Sequence, residues 1–172
     1  MDLMLDIETM DNKPGAALTQ IAAVGFDRYS GPISHLQFNE KITLKSSMSH
    51  GLTASPDTIL WWMVQSNEAK NIFKNGHSLT AVLESFSRWF KKNDFTYIWG
   101  NGSIFDNNLL QVAYDTVKIK YPWTYKVHQD LRTLVDIAEI DPKSIEFDGT
   151  PHDAIDDCLH QIKIANICFN KL

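Results

Sequence analysis

The chain of 172 residues, with 44% hydrophobic and 22% charged side chains, is long enough to bury a core, and one domain over residues 1–172 is expected. It lacks any apolar run near the ~20 residues that span a bilayer, and acids interrupt its apolar first residues, which argues against a membrane protein and a signal peptide. The net charge of −5 disfavours nucleic acid as a partner, because phosphates prefer a basic surface, unless clustered carboxylates hold divalent cations.

Three β-prone segments come first in the chain. Residues 3–9, 19–27 and 33–42 are short and rich in apolar side chains, and Ser30-Gly31-Pro32 marks a turn between the last two. Short connections between consecutive strands favour antiparallel pairing, so we predict a meander of three strands.

Helical patterns dominate the rest of the sequence. Ser55 is placed to cap a helix that has Pro56 at its first position, and Ser78 to cap another. The predicted elements are helices over 55–74, 78–92, 105–117, 130–139 and from 151 nearly to the end, and a fourth strand over 95–100. This order predicts an α/β fold in which helices flank a mixed sheet. Cys158 and Cys168, both in the last helix, are expected to be reduced thiols of a cytoplasmic protein.

Asp6 and Glu8 are two acids in an otherwise apolar strand. Residues two apart in a strand point to the same face, with Cα atoms ~6.6 Å apart. Two such acids repel each other and lose solvation on folding, and a divalent cation between them would remove both penalties. The alternative is that this face of the strand is exposed to solvent.

Asp106 follows the fourth strand and its Gly100-Asn101-Gly102 turn, near the start of the next helix. Side chains at this place face ligands that gather at the ends of the strands of a mixed sheet. The alternative is an ordinary acid in the first turn of a helix, where the helix dipole favours it.

The segment 150–157 contains the remaining candidates. Thr150 fits an N-cap, Pro151 the first helical position, and Asp153 the reciprocal partner of a capping box. On a helix, His152 and Asp157 would lie ~140° apart around the axis and ~7.5 Å along it, so they would flank a site without touching the same ion. Periodicity alone leaves Asp156 open as the ligand.

Together these residues resemble the DEDDh superfamily of RNase H-like 3′–5′ exonucleases. The first motif, D-x-E, matches Asp6-Ile7-Glu8-Thr9, and the second-motif aspartate matches Asp106. The third motif, H-x₄-D, matches His152 and Asp157 and selects Asp157 over its neighbour. The three motifs occur in the family's order and span essentially the whole chain.

This resemblance implies a mechanism. Two Mg²⁺ or Mn²⁺ ions would be held by Asp6, Glu8, Asp106 and Asp157, with Asp6 bridging both. Glu8 and Asp157 would complete the site that activates the attacking water, Asp106 would hold the second ion mainly through waters, and His152 would be the general base. The products would be 5′-nucleoside monophosphates.

A narrower resemblance involves Thr58-Ile59-Leu60-Trp61-Trp62-Met63-Val64-Gln65. This T-I-x-W-W-x-x-Q pattern is similar to that of small phage and prophage exonucleases, a group that includes a mycobacterial exoribonuclease. It implies that Trp62 and Gln65, together with Thr9, border the cleft as substrate-binding residues. One of the two tryptophans is expected in the core.

The implied partners are 3′ ends of single-stranded DNA, slightly favoured, or RNA, and the resemblance allows a homodimer. The competing hypotheses are a catalytically silent nucleic-acid-binding module with the same fold, an exoribonuclease with the same chemistry, and another metal-dependent phosphoesterase.

Overall fold

The computed structural model describes residues 1–172 and contains one five-stranded sheet. The strands are β1 (Asp2–Thr9), β2 (Leu18–Asp27), β3 (Gly31–Lys41), β4 (Tyr97–Gly100) and β5 (His128–Asp130). They are arranged in the order β3-β2-β1-β4-β5. The first three form the predicted antiparallel meander, whereas β4 runs parallel to β1 and β5 parallel to β4. The mixed sheet is therefore centred on β1.

Six α-helices surround the sheet. They are α1 (Leu44–Ser49), α2 (Pro56–Met63), α3 (Leu79–Asn93), α4 (Asp106–Thr116), α5 (Leu131–Ala138) and α6 (Ala154–Lys171), and 3₁₀ turns cover Ala69–Phe73 and Pro142–Ser144. Ser55 and Ser78 cap α2 and α3 as predicted, each accepting a hydrogen bond from a backbone N–H three residues later. None of these helices is long and apolar enough to cross a membrane.

The alternation of side chains along β1 divides the core in two. Leu3, Leu5 and Ile7 pack into the cluster that also contains α3 and α4. Met4 packs on the opposite face, in the cluster of α5 and α6. Because alternate residues share a face, Asp6 and Glu8 lie on the side of Met4, toward α6. Both cysteines are free and buried in that second layer.

Several predicted boundaries are wrong. The helix expected over 55–74 ends at Met63, and a separate 3₁₀ turn follows, in which the Ser66 side chain accepts a hydrogen bond from the Ala69 N–H. The last helix begins at Ala154, not at Pro151, because His152 has φ +66°, which a right-handed helix cannot include. The short α1 and β5 were not predicted.

Candidate active site

Asp6 and Glu8 place two carboxyl groups under α6, where they are largely shielded from water. Glu8 is only 9% exposed. Burial, followed by the charges of Asp157 and Asp106, raises the pKa of Glu8 to about 9. Burial is also the main cause that raises the pKa of Asp6 well above its ordinary value, and the other carboxylates add to it. Both groups therefore resist ionisation unless a positive charge joins them.

Asp106 reaches the same place from the neighbouring strand. The parallel register pairs Met4 with Trp99, so the chain leaves β4 beside Asp6 and then starts α4 with Asp106. A Cβ at Gly100 would lie 3.3 Å from the Asp106 carboxylate, so the turn approaches this side chain closely. Burial raises the pKa of Asp106 to about 7, against the lowering effects of backbone hydrogen bonds and of the Arg132 charge.

His152 and Asp157 approach Glu8 from the start of α6. The metal-binding atoms of these three residues all lie within 4.8 Å of one another. The His152 backbone N–H donates to Asp157 Oδ2 at 3.0 Å, and its ring packs edge-on against Trp61, with centroids 4.8 Å apart. Burial lowers the pKa of His152 and raises that of Asp157 to about 6.

The loop before α6 differs from the predicted capping box. Asp153 is the N-cap, and its side chain accepts from the Ile155 N–H. His152 therefore lies outside the helix, and the expected angular separation from Asp157 does not apply, because the loop turns the imidazole back toward the carboxylates. The expectation that the two side chains flank the site without touching the same ion stays a prediction.

Asp156 has a separate structural role in the same loop. Its Oδ2 accepts the Thr150 backbone N–H at 2.8 Å. Its carboxyl carbon lies 2.7 Å from where a Cβ at Gly149 would be, and Gly149 has φ +127°, so the loop needs glycine there. The Asp156 carboxylate thus holds the loop, while that of Asp157 faces Glu8.

Gln161 is a site residue that the sequence analysis missed. It lies one turn after Asp157 on α6, is 5% exposed, and donates from Nε2 to Asp6 Oδ1 at 2.7 Å. Its Oε1 is buried without a hydrogen-bond partner. A long amide on the otherwise apolar face formed by Cys158, Ile162 and Ala165 is the sequence signal that could have revealed it.

Comparison with known proteins gives this geometry its context. The model of the Rv2179c-like 3′–5′ exoribonuclease domain family matches residues 1–169. The chain belongs to this family. The exonuclease is also 26% identical, over 198 aligned residues, to the exodeoxyribonuclease of Enterobacteria phage T4, covering 94% of this chain and 86% of the phage protein.

Two solved structures share the fold. The nuclease domain of 3′hExo, a DEDDh family member bound to rAMP, superimposes with a TM-score of 0.69 at 14% identity, covering 98% of this chain and 90% of that one. S. pombe Pop2p in its Mg²⁺- and Mn²⁺-bound form gives 0.60 at 13% identity, covering 94% and 80%. Family and fold together confirm a 3′–5′ exonuclease of the DEDDh superfamily with the predicted RNase H-like α/β architecture.

Helix α2 of the exonuclease, which contains Trp61 and Trp62, lies beside the carboxylate cluster. Trp62 is 3% exposed and donates its indole N–H to the Thr9 carbonyl at 3.0 Å. Trp61 is 41% exposed and contacts His152, so it is the accessible indole. Gln65 lies beyond the end of α2 and donates to the Trp61 carbonyl, and the Thr9 hydroxyl donates to the Asp11 carbonyl. Trp62 therefore supports the end of β1 from within the core.

Proposed function

We propose that the exonuclease removes single nucleotides from the 3′ end of a single-stranded nucleic acid, using two divalent cations and a histidine general base. Asp6, Glu8, Asp106 and Asp157 would hold the ions, Mg²⁺ or Mn²⁺, and His152 would take the proton of the attacking water. The observation that carries this proposal is the convergence of Glu8, His152 and Asp157 within 4.8 Å, beside Asp6 and Asp106.

The chemistry of the carboxylate cluster fits a divalent cation. Oxygen donors are the ligands that Mg²⁺ prefers, and burial is the main cause that raises the pKa values of Asp6, Glu8, Asp106 and Asp157, a penalty on their charged forms that a bound cation would offset. The Mg²⁺- and Mn²⁺-bound form of the Pop2p neighbour supports the same choice of metal. Bound divalent cations supply Lewis-acid stabilisation of the charge on the phosphate.

The protein's own groups prepare the proton transfer. Because burial lowers the pKa of His152, its imidazole is neutral at neutral pH and can accept a proton. Its backbone hydrogen bond to Asp157 and its contact with Trp61 fix the ring near Glu8. Gln161 holds one oxygen of Asp6 and so limits the orientations of that carboxylate.

Residues near α2 and the end of β1 would receive the terminal nucleotide. We propose that Thr9, Trp62 and Gln65 border this place, with Trp62 supporting Thr9 from within the core and the exposed indole of Trp61 available for stacking with a base. DNA is the proposed preference, supported by the likeness to the phage exodeoxyribonuclease. RNA is the second candidate, favoured by the exoribonuclease description of the family.

A degradation assay tests the proposal. A 5′-labelled strand, as DNA and as RNA of the same sequence, should shorten stepwise with Mg²⁺ and stay intact with EDTA. A bulky 3′ block should stop degradation, whereas a 5′ block should not. Rapid cutting of a circular strand would make the protein an endonuclease, and binding without turnover would favour the silent module.

The single-domain organisation, the cytoplasmic location and the homodimer stay predictions. Limited proteolysis, cell fractionation and light scattering, respectively, would test them.

A further inference from the structure

Arg132 is an exposed cation close to the carboxylate cluster. It is the second residue of α5, and its Nε lies 3.4 Å from Asn101 Oδ1 in the turn that leads to Asp106. Its guanidinium carbon lies 3.3 Å from where a Cβ at Gly102 would be, so it lies flat against this turn. Neither ion pair of the structure involves it, since these join Arg28 to Asp2 and His77 to Glu40.

The acid two residues before Arg132 is already occupied. Asp130, the N-cap of α5, accepts hydrogen bonds from the Ser103 N–H at 2.6 Å and from the N–H and hydroxyl of Thr133 at 2.9 and 3.1 Å. It forms no salt bridge with Arg132. The Arg132 Nε–H donates to Asn101 Oδ1, and the two terminal nitrogens of the guanidinium keep their donors free for an external anion.

Arg132 borders a groove beside the turn that leads to Asp106. The groove has a volume of about 400 Å³, and its walls come from the loop after β1, the start of α4 and the start of α5. Residues on its walls include Asn12, Pro14, Phe105, Asn108 and Arg132. Phe105 directly precedes Asp106 in the chain, so the groove borders the segment that carries this carboxylate.

The polarity of the reaction identifies the anion. An exonuclease acting from the 3′ end cuts at the last phosphodiester, and the nucleotide that it releases ends in a free hydroxyl. Any further phosphate near the site must then lie on the 5′ side of the scissile bond. We propose that Arg132 binds one such upstream phosphate of the strand, in the groove lined by Asn12 and Asn108.

This inference rests on the proposed function and adds a phosphate subsite to it. A guanidinium suits a phosphate because two of its N–H groups can donate to two phosphate oxygens at once. Phosphate contacts fix the register of a strand without reading its sequence. The subsite would therefore serve DNA and RNA alike and would retain the strand after each nucleotide leaves.

The test measures whether the Arg132 side chain and one particular phosphate of the strand act together. In single-stranded DNA oligonucleotides, one upstream phosphate at a time is replaced by a neutral methylphosphonate, and kcat/KM is measured for wild type and Arg132→Ala. For wild type, neutralising the contacted phosphate should lower kcat/KM about tenfold. Arg132→Ala should show a similar loss on unmodified DNA and no further loss at that phosphate. Arg132→Lys should recover part of the loss.

Arg88→Ala is the matched control. Arg88 is an exposed arginine on α3, which packs against β3 at the opposite edge of the sheet from β5. Its loss should leave the wild-type profile at every phosphate. Fluorescence anisotropy on the same strands should give the same coupling in binding.

Two results would overturn the inference. The first is that neutralising each phosphate lowers the kcat/KM of Arg132→Ala as much as that of wild type. The second is that Arg132→Ala has the wild-type kcat/KM on unmodified DNA. If wild type fails to shorten unmodified DNA and RNA, the proposed function fails instead, and coupling in the binding data still decides whether Arg132 contacts a phosphate. Circular dichroism checks the fold, and Arg132→Gln serves as a second variant.

Discussion

Replacing Glu8 by glutamine should stabilise the metal-free protein at neutral pH. Folding raises the pKa of Glu8 from its ordinary 4.5 to about 9, so at pH 7 the folded protein keeps a proton that the unfolded chain releases. A carboxyl group with a raised pKa lowers stability increasingly as pH rises from its unfolded value to its folded value. Glutamine fills the same space and never has to take up that proton.

The size of the effect follows from the interval between the unfolded pKa and the pH. At pH 7 the interval above 4.5 is 2.5 pH units, which at ~1.36 kcal/mol per unit gives about 3 kcal/mol, as an order of magnitude. At pH 5 the interval is only 0.5 unit, and the gain is below about 1 kcal/mol. The stabilisation should therefore grow with pH.

Urea unfolding of EDTA-treated protein, followed by tryptophan fluorescence, measures this directly at both pH values. Glu84→Gln, which changes an exposed acid on α3, is the control and should alter the free energy of unfolding little at either pH. Adding Mg²⁺ should stabilise wild type more than Glu8→Gln, because ligands that bind only the folded state add stability. The reasoning is refuted if Glu8→Gln is no more stable than wild type at pH 7, or gains equally at both pH values.

Four further substitutions test the site in three experiments. Asp157→Asn should lose several orders of magnitude in rate, whereas Asp156→Asn should turn over at nearly the wild-type rate once folded; the reverse ranking would show that the third motif is misaligned by one residue. His152→Ala should lower the chemical rate by ~10²–10⁴ and remove the acid limb of the pH–rate profile, so an unchanged profile would contradict a general base. Gln161→Met should weaken Mn²⁺ binding, measured by calorimetry, by ~10–100-fold because Asp6 loses its orienting donor, and equal affinity would dismiss that role.

The strands could be predicted because their pattern is local. Short apolar segments with turn residues between them are enough to define β1 to β3. β5 could not be found in this way, because its three residues, His128–Asp130, are polar and pair with β4 only through the backbone. The start of α6 was missed for a related reason. Thr150 satisfies the sequence rules for an N-cap, but Asp153 is the N-cap in the structure. Gln20, 133 residues earlier in the sequence, donates to the Asp153 side chain and accepts from the Ala154 N–H.

The residues of the candidate site also fall into those that local geometry predicts and those that it does not. Asp6 and Glu8 share a face of β1 because of strand geometry alone, and the sequence predicts this. Gln161 and Arg132 are positioned by contacts between segments that are far apart in the sequence, and no rule of residue spacing predicts such contacts. Periodicity could not tell which of Trp61 and Trp62 is buried, since the directions of adjacent side chains on a helix differ by only ~100°. Trp62 is the buried one because its indole N–H donates to the Thr9 carbonyl, a contact with a distant segment.

The hydrogen bond from Gln161 to Asp6 joins the first strand to the last helix, across 155 positions of the chain. During translation at roughly 5–20 residues per second, β1 would leave the ribosome about 8–30 s before Gln161. Until then the acids of β1 have neither Asp157 nor the imidazole of His152 beside them. With the roles proposed for His152 and Asp157, a chain whose α6 is still inside the ribosome would lack cutting activity, and so would a fragment that ends before α6.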